Sequence, residues 1–160
     1  MGKKIILVLA LVLFVTGSVF PQEKAKNTIT VGGEFLLCYP MGVNIEYERV
    51  LINNFSITGD IGYFGLILMG MVYADVHPRW YPWSKTFFMD LGLGCADFIY
   101  LGGFGSYPVF TLSPKLGWKI ALGESGWVIT PSITANFIFG KNWPTSNIIP
   151  KIVLSVGYSF

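Results

Sequence analysis

Polar and apolar residues take turns along most of this chain, and that alternation constrains its fold more than any other feature. In VNIEYE (43–48), Val43, Ile45 and Tyr47 fall on one side of an extended backbone, and Asn44, Glu46 and Glu48 on the other. FSITGDIGY (55–63) sets Phe55, Ile57, Ile61 and Tyr63 against Ser56, Thr58 and Asp60. FTLSPKLGWKI (110–120) does the same with Thr111, Ser113, Lys115 and Lys119, and WVITPSITANF (127–137) with Thr130, Ser132, Thr134 and Asn136. A period of two belongs to a strand with two different faces. On a helix the same polar residues would scatter around the axis.

Eight such runs cover about 28–39, 42–51, 54–65, 70–82, 85–99, 107–122, 126–140 and 148–160. At ~3.3 Å per residue and a tilt of roughly 40°, runs of this length cross an outer-membrane apolar band. INN (52–54), WSK (83–85) and GESG (123–126) are tight polar turns, and they alternate with looser links at 39–42, 65–70, 100–108 and 140–150. That alternation of links suits an up-and-down antiparallel barrel, whose even strand number puts both ends of the barrel segment on the side of the tight turns. Pro78, Pro114 and Pro131 fall inside the runs, where each deletes a ladder hydrogen bond, so bulges or strand ends are expected there.

Which face meets which solvent follows from composition. Apolar residues make up 52% of the chain and charged residues only 12%, about half the usual charged share of a soluble domain. No stretch after residue 18 has the roughly 20 mostly apolar residues that a membrane helix needs. An all-β, eight-stranded transmembrane barrel with its apolar face outward satisfies both facts. Lys3 and Lys4 precede the apolar run Ile5–Val15 and the small residues Gly17 and Ser18, the pattern of a cleavable secretory signal. The expected organisation is a signal over 1–18, a lead-in over 19–27 and the barrel over 28–160. Without Lys3 and Lys4 the chain carries nine basic and nine acidic residues, which offers nucleic acid no basic patch. Cys38 and Cys95 are expected on opposite faces of the wall, as free thiols.

This arrangement resembles the small eight-stranded outer-membrane barrels of bacteria, the OmpX and OmpA-transmembrane class. The C-terminal VLSVGYSF carries the most specific part of the likeness, with Gly157, Tyr158 and a final Phe160 on an alternating last strand. The resemblance implies insertion in outer-membrane lipid and recognition of that last strand by barrel-assembly machinery. RWYP (79–82) is similar to a run at strand ends in small barrel families. No peptidoglycan-anchoring domain is expected after the barrel.

Parity places Glu34, Glu46, Glu48, Asp60, Asp75, His77, Arg79, Asp90, Lys115, Lys119 and Lys151 on the inner face. Charges inside a narrow barrel must be paired, and an eight-stranded lumen is just wide enough for its own side chains. These residues are therefore read as a structural filling, with His77 held among them. The competing reading is a lipid-modifying enzyme, with His77 as base and Ser106 or Ser113 as nucleophile. No local serine motif accompanies that histidine. One histidine and two cysteines on separate strands show no metal-ligand spacing, and LGLG (91–94) and LGGFG (101–105) open no helix for a phosphate. No cofactor is expected. Trp80, Trp83, Trp118 and Trp127 lie near strand ends beside the tight turns, where indole rings settle at the headgroup level, and Trp143, on the last loop, is expected at the opposite interface. The expected role is structural or surface-exposed, with a narrow pore or transporter for ions or small apolar compounds as the alternative. A soluble ligand-binding barrel of lipocalin type is less consistent with the apolar outer face. Oligomeric state is open.

Overall fold

The computed structural model describes residues 27–36, 39–66, 69–83, 86–100, 103–104, 108–122, 125–140 and 148–160. The signal segment, Cys38, Ser106 and Trp143 lie outside these described residues. Eight long strands run Asn27–Leu36 (β1), Tyr39–Ile52 (β2), Phe55–Leu66 (β3), Met69–Trp80 (β4), Phe87–Tyr100 (β5), Val109–Trp118 (β6), Trp127–Phe139 (β7) and Ile148–Ser159 (β8). Gly103–Phe104 folds back on the end of β5, and Ile120–Ala121 prolongs β6 after a break at Lys119.

Each long strand pairs antiparallel with the next, and β8 returns to β1 through a ladder from Thr28↔Ser159 to Phe35↔Ile152. The seam is sealed at its end by reciprocal bonds: Asn27 N–H donates to the Phe160 carbonyl at 2.7 Å and Phe160 N–H to the Asn27 carbonyl at 2.8 Å. The result is the closed eight-stranded antiparallel barrel that the alternation predicts, and no helix occurs among the described residues. Closure matters physically, because it leaves no edge of unpaired backbone groups.

Three expectations about the strands are corrected. The first concerns the links at 39–42 and 65–70, which are mostly strand: β2 already begins at Tyr39, β3 continues through Leu66, and β4 starts at Met69. Glycine and proline there read as turn residues, yet the rim of the barrel takes them into the ladder. Pro40 pairs with Phe35 just past a register shift at Glu34/Phe35. Second, β4 ends at Trp80 rather than Pro82, and Tyr81 N–H donates to the Asn54 carbonyl at 2.9 Å as the chain turns away.

The third correction concerns the prolines, none of which makes a bulge. Pro78 pairs with Ile57, Pro114 with Leu91 and Pro131 with Leu154, all in unbroken register. On the opposite flank each opens a gap of two pairs. The β4–β5 ladder passes from Val76↔Leu93 to Arg79↔Asp90, and the β6–β7 ladder from Leu112↔Phe137 to Lys115↔Thr134. Beyond Gly117↔Ser132 the next pair is Ile120↔Ile129. A proline has no N–H to give on one side only, so one ladder loses bonds while the other holds the register.

The two faces separate cleanly. Ile29, Val31, Ile45, Ile61, Leu91, Ile133, Leu154 and Val156 point outward and are exposed, while their sequence neighbours are buried. Exposed apolar side chains on strand after strand far exceed what a water-soluble monomer carries.

Candidate functional site

The interior is built from alternate residues of all eight strands, and its charged members form three groups. The largest centres on Arg79, only 1% exposed. Its Nη1 lies 2.8 Å from Glu46 Oε1 and 3.4 Å from Glu48 Oε2, and its Nε donates to Asp90 Oδ2 at 2.9 Å. The guanidinium also stacks on Phe88, 3.9 Å from the ring centre. Lys115 Nζ joins Glu46 (2.8 Å) to Asp60 (3.2 Å), and Lys119 Nζ joins Glu48 to Thr28 Oγ1, both at 2.7 Å. Ser56 and Tyr81 hydroxyls complete Glu48 Oε1 at 2.7 and 2.5 Å. Burial holds the Tyr81 phenol above the usual tyrosine range, which keeps it a donor. Asn44 Nδ2 donates to the remaining Asp60 oxygen at 3.0 Å.

His77 belongs to this group. Its Nδ1 faces Asp90 Oδ1 at 3.1 Å, and its ring lies so close over Gly92 that a Cβ there would collide with it. The second group is Glu34 with Lys151 Nζ at 2.9 Å and the Tyr73 hydroxyl, which also donates to Glu34. Asp75 forms the third with two hydroxyls, Thr111 Oγ1 at 2.7 Å and Ser113 Oγ at 3.0 Å. It reaches them across Gly94, where a Cβ would meet its carboxylate. Thus LGLG is the place where two inner side chains of β4 cross the bare backbone of β5.

The structure turns Glu34, Glu46, Glu48, Asp60, Asp75, His77, Arg79, Asp90, Lys115, Lys119 and Lys151 inward, but it joins only eight of them in one network. Ser113 gives its proton to Asp75 and does not bond to His77. Among the described residues no group of His, Cys, Asp and Glu has the makings of a metal site.

An apolar layer went unread in the sequence. Phe64, Met71, Tyr73, Ala96, Val109 and Ile138 cluster inside the barrel at the end away from Asn27 and Phe160, with Leu36, Met41 and Ile149 packed against them. Following inner parity to the strand ends, from Asp60 to Phe64 or Asp75 to Met71, would have found it. The signal is weak because at those ends both faces are apolar.

At the end that holds Asn27 and Phe160, aromatic rings line the outside. Phe55 stacks on Trp80 at 6.3 Å, Trp83 on Phe87 at 5.6 Å, Phe87 meets Trp118 at 5.3 Å, and Trp127 meets Tyr158 at 5.7 Å. Gly157 faces inward beside Thr30, while Tyr158 and Phe160 are exposed. Cys95 also faces outward.

A closed wall of eight antiparallel strands, apolar outside and filled with paired charges inside, has the fold of the small eight-stranded outer-membrane barrels. The N-terminal β-barrel domain of Pseudomonas aeruginosa OprF shares it, with a TM-score of 0.59 at 13% identity over 84% of this chain and 97% of that one. Neisserial surface protein A aligns over 84% and 94% with a TM-score of 0.49 at 16% identity. The attachment invasion locus protein Ail of Yersinia pestis, solved with the heparin analogue sucrose octasulfate, aligns over 85% and 99% with 0.47 at 15%. No protein-family model and no curated protein matches the chain.

Proposed function

We propose that this chain is an integral outer-membrane protein with a structural or surface-exposed role, exported through the secretory pathway and closed to bulk flow. The observation that carries this reading is the inversion of the wall: exposed Val31, Ile45, Ile61 and Ile133 outside, buried Glu46, Asp60, Arg79 and Lys115 inside. Water cannot be the outer solvent of such a surface without aggregation, and lipid can. Inside, the Arg79 network and the Phe64–Met71–Ile138 layer follow one another along the axis and occupy the lumen with side chains. The partners are then outer-membrane lipid, with the aromatic ring at the headgroup level, and the assembly machinery that reads Gly157, Tyr158 and Phe160.

Fractionation tests the location. The protein is expected with the outer membrane, migrating faster on gels before heating than after; recovery in the soluble fraction overturns the proposal. Planar bilayers test closure. A filled lumen gives no single-channel steps over a wide voltage range, and reproducible steps would favour the narrow-pore alternative.

A further inference from the structure

A groove of about 430 Å3 crosses the outer wall over β6, β7 and β8, within the roughly 300–1,000 Å3 of small-ligand sites. Pro114, Leu116, Ile133, Pro150 and Ile152 line it with outward apolar side chains, and Ala135 lies among them. A single methyl between two proline rings leaves the wall hollow there.

Ala135 also stands between two residues that have no N–H. Pro150 is its ladder partner on β8, and Pro114 stands opposite on β6, where the ladder skips from Leu112↔Phe137 to Lys115↔Thr134. On the β5 flank Leu91↔Pro114 sits in unbroken register, so the backbone polar positions of Pro114 face β7. Pro114 has no proton to give there, and the Ala135 carbonyl loses its ladder donor. On a wall that faces lipid no solvent replaces that donor, and an unmet carbonyl is costly. The polar side chains beside the groove are already engaged. Thr134 donates its hydroxyl proton to the Pro114 carbonyl at 2.9 Å, and Lys151 Nζ donates inward to Glu34 at 2.9 Å. Pro78 makes the same gap opposite Leu91, but the residue facing it carries a large outward side chain instead of a methyl.

We propose that this groove binds one hydroxylated acyl chain of the surrounding lipid, with the hydroxyl donating to the Ala135 carbonyl. The inference rests on the outer-membrane reading above, because lipid is what brings an acyl chain to this wall. The apolar lining suits the methylenes, and a single acceptor among them calls for a single donor. A charged headgroup is not what the groove selects, since Lys151 turns its ammonium away to Glu34.

The test is native mass spectrometry of the protein released from micelles that hold equal amounts of two phosphatidylcholines. The two are identical except for one hydroxyl on an acyl chain, placed near the headgroup in one series and at mid-chain in another. Wild type is expected to retain the hydroxylated lipid about two- to tenfold over its parent in at least one series, the range that one net hydrogen bond gives. Pro114→Val supplies an N–H to the Ala135 carbonyl, so its ratio is expected to fall to parity. Pro78→Val, in the other ladder gap, is expected to keep the wild-type ratio. Equal retention of both lipids by wild type in both series overturns the proposal and leaves the membrane reading standing. A Pro114→Val protein that keeps the preference also overturns it. Should Pro114→Val fail to fold, Ala135→Leu fills the groove and is expected to reach parity as well, and an unchanged ratio there overturns the site. A wild type that stays soluble without detergent overturns the membrane reading itself, and this inference with it.

Discussion

Arg79 touches Glu46, Glu48 and Asp90 at once and rests on Phe88. A planar fork of five donors can do this, and an ammonium cannot. Replacing Arg79 by alanine leaves Glu46 to Lys115, Glu48 to Lys119 and Asp90 to His77, and removing one side of a buried ion network costs about 3–5 kcal/mol. Arg79→Ala is therefore expected to lower the unfolding free energy read from urea titration in micelles by that much, and Arg79→Lys to recover only part of it. His77→Ala takes one contact from Asp90, which Arg79 still holds. Its expected loss is about 1–2 kcal/mol. An Arg79→Ala protein as stable as wild type would mean that the lumen charges are paired by water instead.

At the scale of the strand, the prolines carry the lesson. Pro131 faces the Trp118–Lys119 segment, and β6 breaks there, while Lys119 N–H turns to the Thr86 carbonyl at 2.6 Å on the other flank. The missing donor at position 131 accounts for the gap. Pro131→Val supplies an N–H and a β-branched side chain on the outward face. It is expected to add about 0.5–1.5 kcal/mol, with the new amide at position 131 protected in hydrogen exchange as strongly as its strand neighbours. Rapid exchange at that amide would show that the gap has another origin, such as local twist.

For the whole molecule, the sign of the outer solvent decides what an exposed residue is worth. Ile45 is 58% exposed in the middle of β2. In water, Ile45→Arg would be nearly silent. On the lipid face of a barrel, arginine near the midplane costs roughly 2–4 kcal/mol, falling to about 0–1 near the interface. Ile45→Arg is thus expected to destabilise the protein folded in lipid vesicles by that amount, and Ile52→Arg, beside the tight turn, to do little. Equal effects at the two positions would place the apolar band elsewhere or remove it.

The alternation of residues determined the strand number, the antiparallel closure and which side chains enter the lumen, because a period of two leaves a strand only two faces. Glu46, Asp60, Arg79 and Lys115 were legible as inner residues for that reason. Their partners were not, since Lys115 and Glu46 lie 69 residues apart and meet only when the sheet closes. The same holds for Asp75, whose hydroxyl partners Thr111 and Ser113 stand across Gly94 of the next strand. Proline and glycine near the strand ends were misread for a related reason: a ladder tolerates them when its other flank is intact, and only tertiary structure says which flank that is. Sequence thus fixes the face of each residue through local backbone geometry, whereas charge pairing around the lumen is settled by the register of strands that are distant in sequence.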